Sequence, residues 1–327
     1  MITIAEIAKM AGVAKSTVSR YLNDGSVSPV TKLKIERVIQ KTEYVPNSFA
    51  QSLKAKVTNL VGVVVPRLDS YAASKTMIGI DQQLRELNLK MVVANSGLSV
   101  EREIENIYSL AKQKVAGLIV LPTVITKAHL EAFYKIDIPV LIVGQKHENL
   151  YCLVHPDEQA AFELGKYVIS KGHKKIAFLG VAERDVAAGF KRKEGFKKAV
   201  GKENDIHIRF YETTFDTEDA RNAAKNIISD FAPSIIVCAT DNIALGAMKA
   251  AYDNGIKVPT DLSITGFGGY SISEYMSPGL TTVKFHYQLA GQMAAQNIHH
   301  LINHKEIKKC TTLKFEIFKR ESVDKIK

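Results

Sequence analysis

Lys15, Ser16, Ser19 and Arg20 crowd into one short stretch near the start of the chain, AGVAKSTVSRYLN (residues 11–23). Their ammonium, hydroxyl and guanidinium groups donate to phosphate oxygens and base edges, which is the chemistry of nucleic-acid recognition. A merely solvated helix face would carry more acids and fewer hydroxyls. Towards the other end, His300 and His304 stand one helical turn apart beside His299. No third ligand type accompanies them, so a surface helix carrying histidines is expected and no metal site. Gly266-Phe267-Gly268-Gly269 lacks the G-x-G-x-x-G spacing of a dinucleotide loop, and no G-x-S-x-G elbow occurs. The residues therefore point to binding, not catalysis, with no cofactor.

The elements that must carry the first cluster are three short helices. Thr3 and Glu6 form a capping box, so a helix begins near Ile4 with Ile7, Ala8 and Ala11 on one face. Gly12 supplies a sharp turn. A second helix runs from about Lys15 to Asn23, with Val18 and Leu22 inward and the donors outside. Ser28-Pro29 starts a third that reaches about Thr42, with Leu33, Ile35, Val38 and Ile39 as its apolar residues. Two helices joined by a tight glycine turn make a helix-turn-helix plan. Next, residues 46–54 can form two helical turns, too few to be stable alone. Ala50 and Leu53 lie one turn apart with Lys54 and Lys56 following, a pattern that fits insertion into a minor groove. A plain interdomain linker is the alternative.

The whole chain has 327 residues, a net charge of +10 and 46% hydrophobic residues, as a large globular protein should. Residues 1–59 hold nine basic side chains against four acidic ones, half of the total excess, which suits a polyanionic partner. Cys152, Cys238 and Cys310 are scattered and mostly within apolar runs, as core cysteines of a reducing compartment. Glu6 and Lys9 interrupt any signal peptide, and the longest apolar run, residues 60–65, is too short for a bilayer. A cytoplasmic protein is expected.

From residue 60 the pattern changes. Apolar runs at 60–65, 90–95, 117–121 and 140–143, then at 175–180, 234–238 and 262–268, alternate with helical stretches. Strands alternating with helices predict parallel sheets covered on both faces, and two such series predict two similar subdomains. Ligands of such folds bind beyond the carboxyl ends of the strands.

The first sixty residues resemble the headpiece of the lactose-repressor (LacI/GalR) family. The match lies in Thr3–Ala8, Ala11-Gly12-Val13, Ser16-Thr17-Val18-Ser19-Arg20, Asn23 and Tyr44-Val45-Pro46-Asn47. The resemblance implies that Lys15 and Ser16 read the major groove, with Arg20, Thr17, Ser19 and Asn23 as further DNA contacts. It implies hinge helices pairing on a palindromic operator, with Asn47, Ala50, Leu53 and Lys54 at the DNA and Leu53 as the wedge. Ala14 departs from the family, which usually has a serine N-cap there. The fold implied is an α/β core of two doubly wound parallel-sheet subdomains, like periplasmic sugar-binding proteins, preceded by a small all-α helix-turn-helix domain. The expected organisation is a headpiece at 1–45, a hinge at 46–58 and a core at 59–327. The core's N-subdomain would take about 59–155 and 286–312, and its C-subdomain about 156–285 and 313–327, with crossovers near Val154–Asp157, Phe285–Tyr287 and Thr312.

The same resemblance places effector residues. Arg192 matches the family's R-x-x-G-F arginine, Thr240-Asp241 matches a stretch opening a cleft helix, and Phe215 falls where members have an aromatic wall. Asp241 is equally readable as a helix N-cap. The family's acids are replaced by Gly268-Gly269 and by Gly144-Gln145, and an aromatic pair by Ala72-Ala73, leaving Tyr71. A roomier pocket is implied, with Asp185 and Asp69 as candidate acceptors. Together with Glu183–Gly189, these features are similar to sucrose operon repressors of Gram-positive bacteria. The expectation is a homodimeric repressor released from its operator by a sugar or sugar phosphate. A catabolite regulator activated by a phosphorylated carrier protein and a sugar-binding transport protein are the alternatives. No heptad repeat follows residue 318, so the assembly is expected to stop at two subunits.

Overall fold

A computed structural model describes residues 2–22, 25–44, 58–201 and 205–326. They form two compact units divided between Thr58 and Asn59.

The first unit holds α1 (Ile4–Ala11), α2 (Lys15–Leu22) and α3 (Pro29–Thr42). Glu6 N–H donates to the Thr3 hydroxyl at 3.3 Å, and Thr3 N–H donates to the Glu6 carboxylate at 2.7 Å. Gly12 closes α1 at φ +65°, and Ser28 caps α3 ahead of Pro29. Ile7, Ala8, Ala11, Val18 and Ile35 make the core. Leu33 does not join it and is 55% exposed. At 100° per residue it lies about 200° around α3 from Ile35, on the opposite face.

The second unit contains two six-stranded sheets. The first takes β1 (Leu60–Val65), β2 (Lys90–Asn95), β3 (Gly117–Val120), β4 (Val140–Val143), β5 (Tyr151–Val154) and β11 (Cys310–Thr312), in the order β11-β5-β4-β3-β1-β2. All its pairings are parallel. The second takes β6 (Lys175–Gly180), β7 (His207–Glu212), β8 (Ile235–Cys238), β9 (Ser263–Gly268), β10 (Thr281–Phe285) and β12 (Phe315–Phe318), in the order β12-β10-β9-β8-β6-β7. Here β12 runs antiparallel to β10, so this sheet is mixed, not wholly parallel. The chain passes from one sheet to the other three times, after β5, after β10 and after β11.

Helices α4 (Tyr71–Glu86), α5 (Val100–Lys112) and α6 (Lys127–Lys135) connect the first set of strands. In the second half run α7 (Asp157–Ser170), a π-helical turn (Val186–Lys191), α8 (Arg192–Val200), α9 (Thr217–Phe231), α10 (Asp241–Asp253), the short α11 (Ile272–Tyr275) and α12 (Tyr287–Ile302). Helix α12 returns to pack on α4, so closely that a Cβ on Gly79 would meet the Gln288 carbonyl oxygen at 2.0 Å. That contact anchors the helix whose first residue is Tyr71. The segment after β12 is taken into the second half, where the Ser322 hydroxyl donates to the Ile264 carbonyl at 2.6 Å. Among the described residues no helix is long and apolar enough to cross a membrane.

Candidate functional site

In the first unit, α2 turns Val18 inward and leaves Lys15, Ser16 and Arg20 exposed, with Thr17 and Ser19 half-buried. The Tyr21 hydroxyl donates to Glu36 at 3.0 Å and braces α2 on α3. Ala14 holds the capping position: its carbonyl accepts from Val18 N–H at 3.2 Å, but its side chain offers no acceptor. Asn23, Asn47, Ala50, Leu53 and Lys54 lie outside the described residues.

In the second unit, a cavity of about 170 Å³ lies between the two halves, beyond the carboxyl ends of the strands. Tyr71, Asp185, Arg192, Phe215 and Thr240 all line it, brought together from positions up to 169 residues apart. Arg192 opens α8 directly after the π-helical turn. Its Nε and Nη2 both lie 2.8 Å from Asp157 Oδ1, and Nη1 donates to the Ala239 carbonyl at 2.6 Å. Phe267 and Phe285 cover the guanidinium, at 5.2 and 5.1 Å from their ring centroids. Burial opposes the Arg192 charge, but Asp157 with Tyr287 and Tyr270 outweighs it and raises the pKa above the ordinary guanidinium value. A guanidinium has five N–H donors, so two remain for a ligand.

Asp185 caps the π-helical turn, accepting from Ala188 N–H at 2.8 Å, and burial raises its pKa. Phe215 carries the Arg67 guanidinium 4.5 Å over its ring, and Arg67 pairs with Asp69 at 3.3 Å. Tyr71 stacks on Tyr270 with centroids 4.0 Å apart, and its hydroxyl accepts from Ser271 N–H at 3.1 Å. Val186 N–H donates to the Thr123 carbonyl at 3.2 Å, so a second bond spans the two halves.

Asp241 is not the N-cap of α10. Thr240 holds that place, its hydroxyl accepting from Ile243 N–H at 3.2 Å. The Asp241 carboxylate is fully buried behind the cavity wall, accepting from the Thr282 hydroxyl at 2.5 Å and from Tyr270 N–H at 2.6 Å. Burial pushes its pKa up to about 6 against those two bonds. Nor does Gly268 leave open space. A Cβ there would meet the Tyr270 ring at 2.2 Å, because the chain doubles back through φ +132° at Gly268 and +63° at Gly269. Ala72, Ala73 and Gly144 line the cavity, as does Gln145, which donates to the Thr123 carbonyl at 3.0 Å.

The sequence reading missed Tyr270, Asp157, His155 and Tyr287. His155 lines the cavity with its ring 5.1 Å from both Phe285 and Tyr287, and its buried Nδ1 has no partner among the described residues. Burial brings its pKa down to about 4, so the ring is neutral. Asp157 had a usable signal: an arginine this buried requires a counter-charge, and Asp157 sits at an expected crossover. A wider chamber of about 600 Å³ opens from the cavity and shares Arg67, Thr123, Asp185 and Phe215 with it. Asp69 belongs to this outer chamber. Among the described residues no cluster of three potential metal ligands occurs.

Residues 3–47 match the model of bacterial regulatory proteins of the lacI family, and residues 166–323 that of a periplasmic binding protein-like domain. The chain is 38% identical over 309 residues to the sucrose operon repressor of Staphylococcus xylosus, covering 94% of this chain and 96% of that protein. It is 30% identical to the transcriptional repressor PurR of Vibrio vulnificus over the full length of both. The lac repressor dimer, solved with operator and the anti-inducer ONPF, superposes with a TM-score of 0.90 over 99% of both chains at 25% identity. Helix-turn-helix, paired α/β halves and full-length kinship agree, and the chain belongs to the lacI family of bacterial regulatory proteins, a DNA-binding transcriptional repressor.

Proposed function

We propose that this protein represses a sugar-utilisation operon from the cytoplasm, binding a palindromic operator as a homodimer and leaving it when a sugar or sugar phosphate fills the cleft. The observation that carries the reading is the joining, in one chain, of an exposed donor-bearing helix with a cavity whose arginine keeps two N–H groups for a ligand. Kinship with a sucrose operon repressor supports a sucrose-related effector. Lys15 and Ser16 read bases, with Arg20, Thr17, Ser19 and Asn23 as further contacts. Asn47, Ala50, Leu53 and Lys54 serve a hinge that enters the minor groove. Arg192, Asp185, Thr240, Phe215 and Tyr71 meet the effector, while Asp241 acts through Tyr270 as a positioning residue. An effector that favours one arrangement of the two halves depopulates the DNA-bound state by its differential affinity.

The test is a thermal-shift screen of sugars, sugar phosphates, purines and amino acids, followed by operator binding with each hit. A sucrose-related sugar should both raise the melting temperature and weaken operator binding. Stabilisation by purines or amino acids alone would overturn the sugar reading.

A further inference from the structure

The cleft's size and charge bear on what kind of sugar it takes. The inner cavity alone, about 170 Å³, is smaller than the roughly 300–1,000 Å³ usual for small-molecule sites. With the outer chamber of about 600 Å³, the cleft falls within that range. A ligand confined to the inner cavity would leave the larger part of the cleft to water.

A phosphate needs unpaired cations or free N–H groups at helix starts. Arg192 is held by Asp157, and Arg67 is paired with Asp69 while lying on Phe215. Arg184, exposed in the outer chamber, is the only lining arginine without an ion pair among the described residues. Five acids line the same chamber: Asp69, Glu101, Asp185, Glu212 and Asp216. Several helix starts facing the cleft are capped from within, whereas α7 and α12, which open beside the cavity at Asp157 and Tyr287, have no side-chain cap. Ser99 accepts from Arg102 N–H at 3.1 Å, Asp185 from Ala188 N–H at 2.8 Å, Asp216 from Glu218 N–H at 2.8 Å and Thr240 from Ile243 N–H at 3.2 Å. Two of these caps are carboxylates and α7 opens on a third, Asp157, so three of the helix starts around the cleft carry negative charge. Neutral hydroxyls suit the same surroundings: they donate to the acids and accept from the remaining Arg192 N–H groups.

We infer that the effector is an uncharged saccharide of at least two rings, one in the inner cavity and one in the outer chamber, and not a sugar phosphate. This rests on the sugar reading above and narrows it. The experiment is isothermal titration of the full chain with sucrose, maltose, trehalose, glucose, fructose, sucrose 6-phosphate and hypoxanthine. The best disaccharide should bind at least about ten-fold tighter than either monosaccharide, and sucrose at least about ten-fold tighter than its 6-phosphate. Thr213→Trp, which fills the outer chamber, should erase most of the disaccharide's advantage while the monosaccharides keep their affinity; its melting curve checks that it folds. A monosaccharide binding as tightly as every disaccharide, or equal losses for both in Thr213→Trp, overturns the two-chamber placement. Tighter binding of sucrose 6-phosphate than of sucrose overturns the charge argument. In each of these cases the sugar reading survives. If no sugar, neutral or phosphorylated, binds, or hypoxanthine binds instead, the sugar reading itself falls.

Discussion

Asp157→Asn is the most informative perturbation of the cleft because it changes charge with almost no change of shape. Asp157 is 3% exposed and Arg192 6%, so their ion pair is nearly dry. The substitution weakens two contacts of 2.8 Å to a charged donor group and leaves the guanidinium with the Ala239 carbonyl as its one strong acceptor. Hydrogen bonds to charged groups are worth about 1.5–3 kcal/mol each, and breaking a buried pair from one side costs about 3–5 kcal/mol. At roughly 2–4 °C per kcal/mol for a unit of this size, the melting temperature should fall by about 10 °C. Asp157→Leu with Arg192→Met removes both charges, and exchanging a buried pair for apolar residues is often neutral or stabilising. The double variant should therefore melt well above either single variant. Urea and thermal melts of wild type, Asp157→Leu, Arg192→Met and the double variant, followed by two probes to establish two-state behaviour, give the coupling energy directly. The reasoning is refuted if Asp157→Asn costs under about 1 kcal/mol, or if the double variant loses the sum of the singles. Arg192→Ala should abolish the response to sugar, but its lost thermal shift must be read against this lowered baseline.

The pH dependence of stability carries two opposed slopes. Asp241, raised to about 6 by burial, contributes stability that is full below its ordinary 3.8 and lost as pH rises through 6. His155 and His173, both lowered to about 4 by burial, contribute stability present above 6.5 and lost as pH falls through 4. Asp241→Asn should thus gain up to about 3 kcal/mol at pH 8, from two pKa units at about 1.4 kcal/mol each, and lose stability more steeply than wild type between pH 6.5 and 4; parallel curves in a pH series of melts would contradict this. Ala14→Ser restores an N-cap acceptor to α2 and should stabilise the headpiece by about 1 kcal/mol in a melt of the full chain, whereas no gain would mean that the start of α2 is satisfied another way. Lys15→Ala and Ser16→Ala should each relax preference at one operator position by about 1–3 kcal/mol in binding to single-base operator variants, and equal losses on operator and random DNA would reduce them to electrostatic contacts. Leu53→Ala should weaken operator binding while leaving non-specific affinity nearly intact, because a wedge acts only in the kinked complex.

What could be read in the sequence follows from how each signal arises. Continuous apolar runs such as residues 60–65 mark strands buried on both faces, and the caps at Thr3 and Ser28 mark helix starts locally. Edge strand β7, HIRFYE, is half solvated and alternates, so it carried no such run. Strand β10, TTVKF, hides two buried threonines that are satisfied from afar. The Thr281 hydroxyl donates to the Arg320 carbonyl at 3.0 Å, and the Thr282 hydroxyl donates to Asp241. Three-residue β11 is too short to have a period. At the cleft, Arg192 was legible through a motif, but its partner lies 35 residues away, a pairing that only the fold supplies. Tyr270 was hidden by the two glycines before it: they read as missing side chains, whereas their positive φ values turn Tyr270 back into the very space they vacate.

Three of the residues that line the cavity stand where the chain changes sheets. His155 and Asp157 follow β5, Tyr287 follows β10, and the His155 ring lies between Phe285 and Tyr287, so two of the three crossovers pack on each other through one neutral imidazole. Asp157, from the first crossover, holds Arg192, which lines the cavity. Also in the cleft wall, Tyr71 from the first half is stacked on Tyr270 and bonded to Ser271 from the second, while Asp241 fixes the Tyr270 backbone. The cavity is therefore lined both by crossover residues and by the Tyr71–Tyr270 stack that clasps the two halves. Any change in the angle between the halves alters both sets of contacts, and packed interfaces of this kind switch between discrete arrangements more readily than they deform. In the function proposed above, the free energy that a saccharide gains in one arrangement over the other would bias operator binding through Arg192 at the crossovers and Tyr71 at the clasp.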